Sequence, residues 1–188
     1  MSAYAALAAF ARTGLVLDHV NAHNHMHLHP TILGILLRVG REYGLRAVRV
    51  PYEPPLRSWR AARRGLGGRL LASVGLFPWT RLLRARVRRA GLISNDVVFG
   101  MSDTGSLNEA LVLRLLDAVP RHGVTEMYFH VATRHSAEID RTMPDYRHPD
   151  ELAALVSPRV REAIQQAGLQ LTTYSELLGN PAPTVSQR

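Results

Sequence analysis

The chain has 188 residues, of which 46% are hydrophobic and 20% charged, and 23 basic residues against 15 acidic ones give a net charge of +8. This composition predicts a globular protein of about one domain and excludes collagen, coiled coils and intrinsic disorder. The absence of cysteine excludes disulfides, thiolate zinc sites and cysteine nucleophiles. Residues 1–11 are apolar but lack the features of a signal peptide, so we expect a cytoplasmic protein.

Predicted helices and strands alternate along most of the chain. In chain order, we predict a helix over 2–12, a strand over 15–28, a helix over 31–43 capped by Thr31, strands over 45–50 and 97–99, a helix over 106–119, a strand over 125–131, helices over 149–156 and 158–167, and a last strand over 169–172. This order is typical of an α/β fold with a parallel sheet or barrel. Because an eight-stranded barrel takes about 250 residues, five strands predict an open sheet or an incomplete parallel (β/α) barrel.

Residues 57–89 depart from this rhythm and predict an arginine-rich helical insertion or cap, which we bound at 57–90. They hold ten arginines, and no acidic residue lies between Glu53 and Asp96. Both tryptophans of the chain, Trp59 and Trp79, also lie here. Three interpretations stay open: a solvated charged face, peripheral docking to anionic lipid headgroups, and nucleic-acid binding, which lacks any accompanying recognition motif.

A histidine cluster lies in the second predicted element, where five of the nine histidines occupy His19 to His29. Strand alternation predicts that one face carries His19, Asn21, His23, His25, His27 and His29. Alternate residues lie about 6.6 Å apart along a strand, so one metal ion takes at most one or two of these imidazoles. Hydrogen-bonded surface histidines are the simpler alternative, but five in alternation favour a metal or active site.

Four segments resemble the YdjC-like carbohydrate deacetylases over nearly the whole chain. His19 to Pro30 resembles that family's histidine-rich strand, the most specific of the matches. Arg49 to Glu53 resembles an R-x-P-x-E stretch, Gly123 to His130 a G-x-T-E-x-x-x-H strand, and 147–152 an R-x-x-E-L segment. Asn21 and Ala22, together with the additional His29, are most similar to the hopanoid-biosynthesis-associated HpnK branch.

The resemblance implies a glycoside hydrolase/deacetylase-type barrel that hydrolyses the acetamido group of an N-acetylated sugar or glycolipid with a divalent metal ion, magnesium or zinc. It implies His23 as a metal ligand and His130 as the general acid. It places His25, His27, Asn21 and Arg49 around the substrate pocket. Localisation at the inner membrane face would suit a lipid-linked substrate.

The family's opening N-A-D-D-F-G strand and its G-x-H motif have no counterpart upstream of His19, where Asp18 is the one acidic residue. We therefore expect residues 1–179 to be the C-terminal part of a YdjC-like domain, followed by a polar tail over 180–188. Alone, this truncated chain should bind metal weakly and show no deacetylase activity. The alternative is a non-catalytic, basic metal-binding module that docks to an anionic membrane or a partner.

Two further residues have simpler predicted roles. Asp103, in the segment Ser-Asp-Thr-Gly-Ser, is predicted to be a turn residue. Glu151 is predicted to form an ion pair with Arg147 at the start of a helix.

Overall fold

A computed structural model describes residues 3–179 of the chain. It is a mixed α/β structure whose paired strands are parallel, which confirms the predicted fold class at that level. The residues divide into two compact units. Of the described residues, the first comprises 3–51, 78–95 and 171–179, and the second comprises 52–77 and 96–170. The predicted tail over 180–188 lies outside the described residues.

The first unit is built on two short parallel strands, β1 (His19–Val20) and β2 (Ala47–Val48), which pair His19 with Ala47 and Val20 with Val48. Helix α1 (Ala3–Ala11) packs on helix α2 (Pro30–Glu42). Helix α2 begins one residue earlier than predicted, because His29 and not Thr31 caps it and Pro30 takes the first helical position. The core of this unit consists of Leu33, Leu45, Val48, Val50, Leu83, Val87 and Leu92.

The second unit contains the parallel pair β3 (Val97–Phe99) and β4 (Thr125–Met127), in which Phe99 lies opposite Met127. Helix α5 (Glu109–Asp117) buries Leu111, Val112, Leu115 and Leu116 and packs against α3 (Pro55–Ala62), α7 (His148–Val156) and α8 (Pro158–Gln166). These four residues lie on the apolar face that the helical spacing of the sequence predicts. The unit also holds the short helix α6 (Ala137–Thr142), which Ser136 caps and which the sequence did not predict.

Residues 57–89 are helical, as predicted, in α3 and the long helix α4 (Leu66–Arg89). The part of α4 up to Phe77 belongs to the second unit, and the part from Pro78 onward belongs to the first. Leu83 and Val87 of α4 belong to the core of the first unit. No helix within residues 3–179 has the length and apolar character needed to cross a membrane.

The predicted fifth strand, over 169–172, is irregular and largely exposed. It precedes the last short helix, α9 (Tyr174–Leu177), which begins with a capping box formed by Thr173 and Glu176. A lone strand cannot satisfy its backbone groups without a neighbour, and among the described residues no strand pairs with this segment.

Candidate functional site

His130 lies just beyond the carboxyl end of β4, in the second unit. The neighbouring strand β3 ends at Phe99 and runs into the loop 100–106. Because parallel strands place their carboxyl ends at one edge, this loop and His130 meet there. Thr104 brings its hydroxyl oxygen to 3.2 Å from Nδ1 of His130. The sequence therefore placed His130 correctly at a strand end, where the chemistry of α/β proteins is concentrated.

Two side chains of α7 hold the backbone of His130. Glu151 accepts the His130 N–H at 2.5 Å, and Nδ1 of His148 donates to the His130 carbonyl at 2.5 Å. The second carboxyl oxygen of Glu151 accepts the Leu107 N–H at 3.1 Å. Glu151 is fully buried and His148 is 2% exposed. One buried carboxyl group therefore ties the segment after β4 to the segment that leads into α5.

The role predicted for Glu151 is wrong. Arg147 pairs instead with Asp150, one turn along the solvent side of α7. Glu151 shares the inward face of the helix with His148 and Ala154. The spacing of three residues from His148 to Glu151 and from Glu151 to Ala154 places all three on one face of the helix. This spacing was the sequence signal that Glu151 faces inward.

The imidazole of His130 is half-buried between aromatic rings. Tyr146 and Tyr128 meet it edge-on, with centroid separations of 5.0 Å and 5.6 Å. Burial lowers the pKa of His130 below its ordinary value; the Glu151 carboxyl opposes this shift, and the nearby His148 adds to it. A histidine with a lowered pKa rests in its neutral form at neutral pH and, once protonated, gives up its proton readily.

Two buried or half-buried acids organise the loop 100–106. Glu53, from the R-x-P-x-E segment, accepts the Ser102 N–H at 2.7 Å, the Ser102 hydroxyl at 2.6 Å and the Gly100 N–H at 3.3 Å. Burial raises the pKa of Glu53, although these hydrogen bonds and the charge of Arg69 oppose the shift. Glu53 thereby positions the first part of the loop that presents Thr104 to His130.

Asp103 is the second of these acids, and it does lie in a turn, as predicted. It is also 2% exposed and accepts two hydrogen bonds of 2.8 Å from Nη2 of Arg69. Arg64 adds two more, from Nη2 at 3.1 Å and from Nε at 3.3 Å. Two arginines of the basic segment, the buried Arg69 and the exposed Arg64, therefore bind a buried carboxylate. No local pattern in the sequence indicated this partner, which lies more than 30 residues away.

The histidine cluster lies in the first unit, and the prediction of a long histidine strand there is wrong. Strand β1 ends at Val20, and a 3-10 helix occupies His23–Leu28. Asn24 and His25 both have positive φ, 49° and 54°. Since this path is not extended, the expected alternation of His23, His25 and His27 on one face does not exist.

The predicted residues of this segment have different environments. Asn21 and His23 are exposed, and His25 is half-buried with its ring centroid 6.2 Å from that of His27. His27 is fully buried, and its Nε2 donates to the Arg49 carbonyl at 2.8 Å. The structure thus brings His27 and the backbone of Arg49 together.

His27 is held in one neutral tautomer. Because a carbonyl only accepts, Nε2 carries the proton, and Nδ1 is a buried lone pair with no hydrogen-bond partner among the described residues. Burial lowers the pKa of His27, the Arg49 charge adds to this effect, and the bond to the Arg49 carbonyl opposes it. A histidine that donates one ring N–H to a carbonyl and leaves the other nitrogen bare has the form of a metal ligand.

The described residues do not by themselves form a metal centre. Within residues 3–179, no three His, Asp or Glu side chains converge so that they could hold an ion. Asp18, the one acid upstream of the cluster, is bonded to Nδ1 of His19 at 2.7 Å and to the Ser175 hydroxyl at 2.7 Å. The ring of His19 stacks on Tyr174 at 4.4 Å. The donor set described here therefore does not fit a complete divalent-metal site.

Two parallel strands, each followed by polar side chains, and a half-buried histidine after β4 define an α/β protein with a candidate site at the carboxyl ends of its strands. The model of the YdjC-like protein family matches residues 4–166. The chain belongs to the YdjC-like family.

Two similar proteins are both named carbohydrate deacetylase. The one from Brevibacillus brevis is 23% identical over 173 residues, which cover 92% of this chain and 58% of the relative. The one from Vibrio parahaemolyticus is 24% identical over 171 residues, covering 90% and 54%. The chain thus spans little more than half the length of these relatives. A crystal structure of an Enterococcus faecalis protein has the same fold at a TM-score of 0.63 and 21% identity, covering 91% of this chain and 57% of that one.

Proposed function

We propose that this chain is part of a metal-dependent hydrolase that removes the acetyl group from an N-acetylated sugar, with His130 as its general acid. Membership of the YdjC-like family and the names of the two relatives support the reaction class. The observation that carries the proposal is how His130 is held. Buried Glu151 and His148 side chains bind its backbone N–H and carbonyl, while its ring stays half-exposed.

Hydrolysis of an acetamido group needs a proton at the departing amine nitrogen. With Nδ1 of His130 beside the Thr104 hydroxyl, Nε2 is the ring nitrogen that would face the amine. Burial lowers the pKa of His130, so its imidazolium holds the proton less tightly, and the Glu151 carboxyl opposes that shift. Thr104 fixes the rotation of the ring, and Glu151 and His148 fix its position.

We assign the metal-binding role in this chain to His23, an exposed side chain at the start of the 3-10 helix. A bound divalent ion, magnesium or zinc, would polarise the acetyl carbonyl. Asn21, His25 and Arg49 are proposed to contact the sugar, together with His27, whose bond to the Arg49 carbonyl also fixes the course of that segment. Within residues 3–179, no three His, Asp or Glu side chains converge so that they could hold such an ion.

Three finer features extend the proposal. The βα units of this chain would form part of a glycoside hydrolase/deacetylase-type barrel. The Asn21-Ala22 pair and His29 favour a lipid-linked sugar of the hopanoid type, met at the inner face of the cytoplasmic membrane. An N-acetylated glycolipid should then bind more tightly than the free sugar, and equal affinity for the two would contradict the lipid linkage.

Sugar binding tests the proposal directly. Addition of N-acetylglucosamine oligosaccharide should shift the NMR signals of the His130 ring, whereas the deacetylated sugar should shift them less. His122, an exposed histidine in the turn before β4, provides the matched control, and its signals should not move. Equal shifts at both histidines, or none at His130, would contradict the assignment.

Acetate release tests the catalytic role. The 188 residues contain no N-A-D-D-F-G segment, so we expect no turnover from this chain alone and only weak metal binding by calorimetry. If acetate is released, that expectation is wrong. His130→Gln should then lower kcat by about 10² to 10⁴, and His122→Gln should leave it unchanged.

A further inference from the structure

A surface groove lined by four arginines, here called the arginine groove, lies in the first unit between α2 and the end of α4. Its volume is about 460 Å³. The lining residues are Gly34, Leu37, Arg38, Arg41, Arg86, Arg89 and Ala90. All of them belong to the first unit, so the groove is described within one compact body.

Helical spacing brings the four guanidinium groups together. Arg38 and Arg41 are three residues apart on α2, and Arg86 and Arg89 are three apart on α4, so each pair lies on one helix face. Gly34 lies beside Arg86: a Cβ at this position would be in ordinary van der Waals contact with Nη2 of Arg86, at 3.7 Å. The other lining residues, Gly34, Leu37 and Ala90, carry no charge.

In the part of the chain that the structure describes, no acidic residue lines the groove. Within residues 3–179, none of the four arginines forms an ion pair with a carboxyl group. Arg41 donates to the Ala90 carbonyl at 3.4 Å, and the exposed Glu42 beside it is not part of the lining. This contrasts with Arg64 and Arg69, which neutralise a buried aspartate. Four like charges held at one groove without counter-charge favour a multiply charged anion.

The guanidinium group binds phosphate oxygens through paired N–H donors, and a cluster of four offers more donors than one phosphate needs. Leu82 lies one turn before Arg86 on α4 and is 45% exposed. An exposed apolar side chain next to basic ones is typical of an element that rests in the headgroup region of a membrane. Nucleic-acid phosphates would use the charges but leave Leu82 without a role.

We propose that the arginine groove docks the protein onto anionic phospholipid headgroups, with lipid phosphates in the groove and Leu82 at the edge of the acyl region. This inference does not depend on the proposed deacetylase activity, because it concerns surface charge in the first unit alone. A chain that never hydrolyses a sugar would still bind such a membrane.

Vesicle co-sedimentation with the full chain tests this surface. The vesicles are phosphatidylcholine with or without phosphatidylglycerol, at low and at high salt. The test variant is Arg38→Gln with Arg86→Gln, and Arg41→Gln with Arg89→Gln serves as a second. The control is Arg121→Gln with Arg134→Gln, two exposed arginines of the second unit. Every pair removes two charges from the net +8, and circular dichroism verifies the fold of each protein.

We expect wild type and control to bind phosphatidylglycerol vesicles and to be released by salt. Since each basic residue near an anionic surface contributes roughly a factor of five in affinity, a groove variant should bind about 30-fold more weakly. Equal losses in groove and control variants would show that net charge alone acts, and would overturn the proposal. Absence of vesicle binding would also overturn it, including the case in which pyrophosphate or duplex DNA binds instead.

Discussion

Glu151→Ala removes the acceptor on which two buried backbone segments depend. In the wild-type structure, one carboxyl oxygen accepts the Leu107 N–H at 3.1 Å and the other accepts the His130 N–H at 2.5 Å. Glu151 is fully buried, so water does not replace it without reorganising α7. Each buried donor left without an acceptor costs roughly 1–3 kcal/mol. The two together predict a loss of about 2–6 kcal/mol in the free energy of unfolding.

Glu151→Gln separates the two bonds. The glutamine carbonyl still accepts one N–H, while its amide group faces the other donor and cannot accept from it. The expected loss is therefore about half that of the alanine variant, roughly 1–3 kcal/mol. Amide hydrogen exchange should locate the effect, because Leu107 and His130 are the two N–H groups concerned.

Urea unfolding followed by circular dichroism measures these losses, with the slope m expected to stay constant. Glu162→Gln is the matched control, since Glu162 is exposed and, within residues 3–179, its side chain accepts a hydrogen bond only from Gln166 on the same helix. Its effect should stay within about 0.5 kcal/mol. The reasoning fails if Glu151→Ala unfolds at the same urea concentration as the control, because the two buried donors would then have other acceptors.

Three further outcomes follow from other buried contacts, each measured by urea unfolding. Arg69→Met should cost about 3 kcal/mol, because Asp103 loses its buried partner and keeps only the exposed Arg64; a loss below 1 kcal/mol would contradict this. Gly105→Ala should be strongly destabilising, since φ is +75° and the new Cβ would lie 2.5 Å from Cδ1 of Tyr146. The lowered pKa of His27 means that the unfolded chain binds more protons just below pH 6.5, so stability should fall as the pH drops through that region. His27→Gln should flatten that slope, and an unchanged slope would refute the assignment.

Residue periodicity was a sufficient guide for the helices but not for the histidine segment. Helix α2, helix α5 and strand β3 lie where the sequence placed them within a few residues, because their apolar faces coincide with the core. The alternation through His23 and His27 matched a strand equally well. Asn24 and His25 instead take positive φ, a conformation that asparagine and histidine adopt more often than most residues. A local turn therefore overrides a two-residue period.

The polar contacts at the candidate site could not be predicted from local sequence patterns. Glu151 bonds to groups 21 and 44 residues away, and Arg69 to an aspartate 34 residues away. Local sequence patterns do not show which residues so far apart in the chain come into contact. The position of His130 just after a strand could be predicted because a strand end is a local feature. Its hydrogen-bond partners depend on tertiary contacts.

Short strands explain why buried polar side chains are so prominent in this protein. The paired strands of residues 3–179 are only two or three residues long, so the backbone next to them lacks ladder partners. The Asn95 side chain takes the place of a neighbouring strand, because it accepts a hydrogen bond from the N–H of Val50 and donates one to the carbonyl of Val50. His27 does the same for the Arg49 carbonyl, and Glu151 for the His130 N–H. Because the proposed site residues lie on these irregular segments, their geometry depends on single buried side chains rather than on the sheet.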